Sequence, residues 1–564
     1  MPKNQTFTLG AEGADFTSLA EAVAAAQKGA VLKVAPGRYP DDITLLQQLT
    51  ISGDGPSDEI VFSGTVQVSS GLSVIEGITL AGTTRLSVGR CKLEQVTITG
   101  SLVLDGGTPG VDKSQIRDAD VTITNTCKGR LTSVALHSVS LRFEGSCTPR
   151  LSECQITNSR IVFAEDAAGT LDSCDISSMR GDSAAIFISD RTAPKLKTCR
   201  IHDNPAEGIW IEGEATPTIT DSEINTNKGV GVVIESGRPT LRRCHIHHNH
   251  GNGISFMGGQ GAMSSCEVAH NMAPGMVFQG ESSPVVKSCH LHHNSGPGAI
   301  IARGASPSLE SCRLHDHEEP DIVVRNAAPR LRRCRFSGGP SNGIVFYDGA
   351  GGEMESCDLQ NHALPAVAIW GGAAPVLRSC KLHKGNHMGA WVFDGGKGTF
   401  EKCQFVNNAR VGIGIRSASP VLTNCKIANS GSNGMSIYGT ASPSISDCEI
   451  ARSKGPDVAV WGSAEPVFKN CHIHTSNQCS LLVRGGSPVV DGCAIDHSPL
   501  GVQVDGGSPQ IRDSKLSNIP IAVRWAAGEG SLTGCSFEDC AQPLEIADGA
   551  SPTVSDLSGV PEQG

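Results

Sequence analysis

Between residues 325 and 484 one position recurs every 22 or 23 residues and carries only arginine or an aromatic: Arg325, Tyr347, Trp370, Phe393, Arg416, Tyr438, Trp461 and Arg484. Trp391 sits two residues before Phe393, on the same side of any extended strand that holds both. The chain has only 15 Phe, 5 Trp and 3 Tyr, so five rings at eight places mark a surface rather than background composition. Guanidinium groups interleaved with rings suit an extended ligand bearing anionic groups. The same position holds Glu212, Glu235, Met257, Gln279 and Ala302 upstream, and Asp505 downstream. Side-chain stacking that only stabilises a sheet is the competing reading.

Two further sets could carry chemistry. His202, His247, His292, His315, His383 and His474 each follow a cysteine by three residues, and His245, His248, His250, His290, His293 and His317 crowd the same stretch. His290, His292 and His315 are the candidates for a shared metal by ligand type, although a solvated polar face explains them as well. Asp348 and Asp394 are the one carboxylate pair nominated for catalysis. They flank the stripe two repeats apart, beside Arg325 and Arg416. Two carboxyls roughly 5 to 10 Å apart suit glycoside cleavage, and a base beside a cation suits a lyase. Solubilising acidic corners are the alternative.

What positions these residues is a repeat. Cysteines fall at 154, 174, 199, 244, 266, 289, 312, 334, 357, 380, 403, 425, 448, 471, 493 and 535, with Ser222 and Ser514 at the two missing steps, a period of about 22 residues. Leu49, Ile78, Val96, Ala119 and Val134 extend the phase backwards, for about 23 coils. In Cys-x-Ile and Ile-x-Val the apolar residues stand two apart, the mark of short strands with one buried face. Coiling the chain turns that face inward and stacks equivalent residues about 4.8 Å apart. The cysteines then form an inner column of small hydrophobes. Asn204, Asn227, Asn249, Asn271, Asn294 and Asn408, five places after the column, predict an amide ladder at a tight turn. Stacked thiols from one column have poor disulfide torsion, and no Cys-x-x-Cys pair suggests zinc.

The expected fold is therefore all-β: a single-stranded right-handed parallel β-helix, a solenoid with a short N-terminal helix cap. Residues 1–45 form the strand and helix cap, with Thr17 as helix N-cap. Residues 46–150 form less regular coils, 151–554 regular coils of about 22 residues, and 555–564 a flexible tail. Sixty-six glycines and a charged fraction of 18% fit repeated tight turns better than several packed cores. A net charge of −11 without basic runs argues against a nucleic-acid partner, and no run of 18 apolar residues predicts a membrane span. The start, Met1-Pro-Lys-Asn-Gln-Thr6, lacks the apolar core of a secretory signal. A cytoplasmic location is expected, with export by a route without a cleaved signal as the alternative.

Asp15-Phe-Thr-Ser-Leu-Ala-Glu-Ala-Val followed by Val34-Ala-Pro-Gly-Arg-Tyr resembles the N-terminal cap of the pectin lyase-like β-helix superfamily. The Cys/Ile/Asn/Gly coils resemble those of its carbohydrate-active enzymes, of periplasmic copper-site maturation proteins and of the substrate-binding part of certain F-box proteins. The resemblance implies the fold across nearly the whole chain. The Gln-Asp, Asn-Thr-Asp, Gly-His-Gly and Asp-Pro-His-Glu signatures of its pectinesterases, polygalacturonases and alginate epimerases are absent, so it brings no catalytic residues. The expected function is a non-enzymatic scaffold that binds a protein segment or an acidic polysaccharide along the aromatic/Arg stripe, with no cofactor. The alternative is a polysaccharide lyase or glycoside hydrolase acting at the same face.

Overall fold

The computed structural model describes residues 5–10, 12–69 and 71–560. The first four residues of the expected cap and the last four of the expected tail lie outside them. The chain forms two compact units, Met1–Ala273 and Pro274–Gly564, each built of coils of a right-handed parallel β-solenoid. Among the described residues they hold about 25 turns, slightly more than the periodicity predicts, and one helix.

Each regular coil repeats three short strands. In one coil of the second unit these are Ser308–Glu310, Arg313–His315 and Ile322–Arg325. Every strand pairs in parallel with its equivalent in the next coil: Leu309 with Leu331, Leu314 with Phe336, Val324 with Phe346. Parallel pairing ordinarily demands a long crossover; here the rest of the coil supplies it. Leu309, Leu314, Ile322 and Val324 are fully buried, and the residues between them point outward, as the period-two pattern requires.

The corners explain the cysteines. The residue before each cysteine of the periodic column sits in the left-handed region: Ser311 at φ 55°, Arg333 at 52°, Ser356 at 54°. For a residue with a side chain that backbone costs roughly 1–2 kcal/mol, and it turns polar backbone groups inward. The thiol meets them. Cys266 Sγ donates to Ser264 O at 3.4 Å and accepts the Cys244 N–H at 3.4 Å. Ser222 and Ser514 do the same work, accepting the N–H groups of Cys199 and Cys493 at 3.1 Å. The column is thus a hydrogen-bonding device as well as apolar filling.

A second corner separates the second and third strands, and its width varies. In the first unit the register advances only 18 residues from Lys92 to Gly110 and 20 from Arg130 to Arg150. These short coils overturn two backward assignments of the column. Ser114, not Ala119, holds the place, accepting Val96 N–H at 3.2 Å and donating to Asp112 O at 2.7 Å. Leu49 precedes a first strand, Thr50–Gly53, rather than a second one. Between Asn204 and Asn271 the corner is wider and the amide ladder fills it. Asn204 Nδ2 donates to Asn227 Oδ1 at 2.7 Å, Asn227 Nδ2 to Asn249 Oδ1 at 2.9 Å, and Asn249 Nδ2 to Asn271 Oδ1 at 3.0 Å.

In the second unit histidines enter this column. His317 lies five places after Cys312 and is buried rather than part of a solvated face, its Nδ1 accepting Asn294 N–H at 3.3 Å. His362 Nε2 meets buried Asp321 Oδ2 at 3.0 Å, reaching past Gly343, where a Cβ would stand 3.0 Å from the imidazole. Burial pushes His362 down to about 4.

The N-terminal helix spans Leu19–Ala25 and buries Leu19 and Ala22. Its N-cap is Ser18 rather than Thr17: Ser18 Oγ accepts Glu21 N–H at 3.3 Å, while Asp41 Oδ2 accepts Leu19 N–H at 2.9 Å. Toward the C-terminus, Thr553–Ser555 is still a paired strand.

All 21 cysteines are free; 20 are buried and Cys540 is partly exposed. Burial pushes Cys91 and Cys479 up to about 12. An alkylating reagent in native buffer is therefore expected to modify little beyond Cys540, with the remainder reacting in denaturant. Rapid labelling of most thiols in the native state contradicts the inner column.

Asp457 is fully buried; its Oδ1 accepts Ser453 N–H at 3.0 Å. Desolvation raises its carboxyl from 3.8 to about 7. Between those values the folded chain keeps a proton that the unfolded chain releases, so rising pH favours unfolding from about pH 4 to 7. Asp457→Asn keeps an acceptor and removes this slope. Its thermal midpoint is expected to exceed the parent's by more at pH 8 than at pH 5, and an equal gap at both counts against the assignment.

Candidate aromatic and arginine binding face

The third strands of the second unit carry the stripe because its register is in phase. Arg325 pairs with Tyr347, Phe393 with Arg416, and Arg416 with Tyr438. Tyr347, Trp370, Trp391, Phe393, Arg416, Tyr438 and Trp461 are half-buried, while Arg325 and Arg484 are exposed. All nine residues nominated from the sequence lie on the outer side of these strands.

The rings form one stack. Tyr347 and Trp370 are 4.9 Å apart at 4°, Trp370 and Phe393 5.2 Å at 21°, Trp391 and Phe393 4.1 Å at 24°. Parallel rings so close cannot lie side by side, so their faces meet and their edges turn outward. Arginines close both ends. Arg325 stands 5.8 Å from the Tyr347 centroid, and Arg416 stands 5.6 and 5.5 Å from those of Trp391 and Phe393. Trp391 has room because Ala368 and Gly414 occupy its place in the two adjacent strands. Beyond Arg416 the packing changes. Tyr438 and Trp461 meet edge to face at 6.3 Å and 76°, and Trp461 packs against Ala459, Cys479, Leu482 and Leu500.

Asp348 and Asp394 follow the stripe at left-handed corners, φ 51° and 45°, which fold each carboxylate back toward an arginine. Asp348 Oδ2 accepts Arg325 Nε–H at 2.8 Å, and both Asp394 oxygens accept from Arg416 Nη2, at 2.9 and 3.0 Å. Arg484 Nε–H donates to Asp505 Oδ2 at 3.2 Å. The two carboxylates nominated for catalysis are thus each hydrogen-bonded to an arginine, with the Trp370 coil between them.

The histidines cluster on the second strands. His290 and His315 bring their Nε2 atoms to 2.6 Å, and His292 stacks on His315 at 5.2 Å and 5°. His293, His315 and Asp316 each offer a ligand atom within 4.8 Å of the others. His290, His292 and His315 are thus brought together as the sequence suggested. In the first unit His247 Nε2 meets Glu223 Oε1 at 2.9 Å, and His202 lies between Asp175 and Asp203.

Two things escape the sequence reading. Phe187 and Trp210 occupy paired outward places on the third strands of the first unit, where Trp210 Nε1 donates to Glu212 Oε2 at 3.1 Å. Their signal was the residue between the two apolar positions of Ile-x-Ile. His472, His474 and Asp496 also gather within 4.8 Å, although the repeat places Asp496 one coil later in the column of His474.

The profile of the family described as "Right handed beta helix region" matches residues 76–241, 235–374, 322–456, 365–487 and 416–557. The F-box protein dre-1 of Caenorhabditis elegans is 36% identical over 72 residues, 13% of this chain and 8% of that protein, so the chain spans a small fraction of its length. Among solved structures, the A-module of the Azotobacter vinelandii mannuronan C-5 epimerase AlgE4 is 15% identical, covers 59% of this chain and 87% of its own, and superposes with a TM-score of 0.25. The periplasmic alginate epimerase AlgG gives 10%, 68%, 77% and 0.26 for the same quantities. The alginate lyase AlyGC gives 9%, 95%, 98% and 0.23. None of these similarities transfers a residue role to this chain.

Trp370 makes two of the stacked pairs, each worth roughly 0.5–1.5 kcal/mol beyond area burial. Trp370→Ala is expected to lower the unfolding free energy by at least about 1–3 kcal/mol, read as a shift of the urea midpoint. An unshifted midpoint shows that the stack contributes nothing to the fold.

Proposed function

The chain belongs to the right-handed β-helix family, and from that premise we propose that its second unit is a binding scaffold for an extended acidic polysaccharide along the Arg325–Arg484 face. One observation carries the reading: the stack turns ring edges and pre-oriented guanidinium groups outward, coil after coil. The edge is the positive end of an aromatic quadrupole. Each arginine is held by an aspartate, and in Arg325 and Arg484 that bond uses Nε, with 61% and 56% of the side chain still exposed. Carboxylates on a flexible glycan meet donors that have already lost their rotamer freedom.

A protein segment fits this face less well. Strand addition needs an unpaired edge, whereas Ala390–Phe393 is paired on both sides. The side chains on one face of an extended peptide recur about every 6.8 Å, out of step with a coil spacing near 4.8 Å.

Catalysis at the same face is the second reading, a lyase or hydrolase acting through Asp348 and Asp394. It rests on those carboxylates lying beside Arg325 and Arg416. The ion pairs favour binding, because each carboxylate is already committed to its arginine.

Two smaller readings accompany this one. The helix Leu19–Ala25 is taken to shield the first coil, supported by its burial of Leu19 and Ala22. Twenty buried free thiols suit a reducing compartment, hence the cytoplasm.

Purified protein titrated with polyuronate oligosaccharides tests the main proposal. Arg325→Gln combined with Arg484→Gln is expected to weaken binding at least about ten-fold, to flatten its salt dependence and to leave the thermal midpoint within a few degrees, since exposed ion pairs contribute little stability. Unchanged affinity in the double variant sinks it. So does capture of an acidic protein segment that polyuronate does not displace. Shortened oligosaccharides after incubation return the face to catalysis.

A further inference from the structure

A second place in the same unit has the composition of a metal site. The strand His472–His474 puts both imidazoles on the outer side of the second-strand sheet, their rings stacked at 4.1 Å and 23°. In the next coil Asp496 stands opposite His474, and Ala494 stands opposite His472. His472 Nε2 and Asp496 Oδ2 are 2.8 Å apart, and the three residues offer ligand atoms all within 4.8 Å of one another.

The surroundings orient this set from behind. His474 Nδ1 meets Thr475 Oγ1 at 2.9 Å, which leaves Nε2 as the outward nitrogen. His497, at a left-handed corner of φ 51°, puts its Nδ1 2.7 Å from Asp496 Oδ1 and leaves Oδ2 for the cluster. On the ligand side, Glu449 lies 3.7 Å from the same His474 Nε2 and is drawn away by Lys426 Nζ, at 2.6 and 2.8 Å from its two oxygens. Ala451 and Ala494 stand beside His474 and His472 in the adjacent strands. A solvated row of histidines needs none of this support. Metal-ligating histidines and carboxylates characteristically have their second atom hydrogen-bonded in this way.

We propose that His472 Nε2, His474 Nε2 and Asp496 Oδ2 bind a divalent first-row transition ion, with Thr475 and His497 as positioning residues. Two imidazoles and one carboxylate suit zinc, nickel, copper or iron(II) better than calcium or magnesium. Three protein ligands leave the remaining coordination positions to water or a ligand. Bond lengths of about 2.0–2.2 Å are reached by small rotamer changes in side chains that already converge. The site lies on the second-strand face and is independent of the aromatic stripe.

The test is zinc binding by the full chain after chelator treatment, with bound metal counted by elemental analysis after equilibrium dialysis. The parent is expected to hold at least one equivalent. His474→Ala combined with Asp496→Asn is expected to hold one equivalent fewer, with its metal-free thermal midpoint within a few degrees of the parent's. His472→Ala provides a second route to the same loss should the double variant fold poorly. His497→Ala is expected to keep the stoichiometry and weaken affinity roughly 10–100-fold, a change that loss of a mere surface hydrogen bond does not produce. Equal stoichiometry in parent and both ligand variants overturns the proposal, as does a parent that binds less than one equivalent.

Discussion

Everything in this molecule depends on each coil turning at the same residue as the one before it. A parallel sheet closed through a single coil tolerates no slippage, because a shift of one residue exchanges the inner and outer sets of side chains. The turn is secured at left-handed corners such as Ser311, Arg333 and Ser356, whose backbone aims polar groups into the interior. Those groups have no water to bond and need partners of fixed size and reach. The thiol of the next residue is one answer, the amide of the asparagine ladder another, and serine substitutes for the thiol at positions 222 and 514. Cysteine repeats here because it is small, largely apolar, and able to give one hydrogen bond and take one.

The outer face inherits this order. Once the register is set, side chains at one position of successive third strands are held a strand spacing apart, and there Tyr347, Trp370 and Phe393 stack while Tyr438 and Trp461 meet edge to face. The arginines at 325 and 416 close the stack and the aspartates at 348 and 394 hold the arginines. Binding and stabilisation are therefore not rival descriptions of the stripe. The contacts that make the rings part of the fold also fix where their edges and the guanidinium groups point.

Much of this was legible in the sequence because a period of about 22 residues turns a table of letters into lines on the molecule. The thiol column, the amide ladder and the nine stripe positions all follow from it. It failed where the period itself changed: the 18- and 20-residue coils moved the column from Ala119 to Ser114. His317 stands five places after Cys312, in phase with the ladder, and this position rather than its polarity sets its burial. Ser18 rather than Thr17 caps the helix because it is the extended residue directly before Leu19, with its hydroxyl accepting Glu21 N–H. Asp496 joins His472 and His474 only through a register that pairs residues 22 apart, and a search for short ligand motifs passes over it.

The unequal width of the corner between second and third strands has a consequence for how such a chain can change. In the first unit the strands Ala135–His137 and Ser140–Phe143 are separated by two residues, whereas Arg200–His202 and Ile209–Ile211 are separated by six. The strands on either side keep their partners in both cases. Length can thus be gained there without disturbing alignment elsewhere, which makes this corner the natural entry point for grafted loops. A lineage could wall in the open platform by enlarging that joint alone, turning a flat surface into a cleft while the scaffold beneath stays as it is.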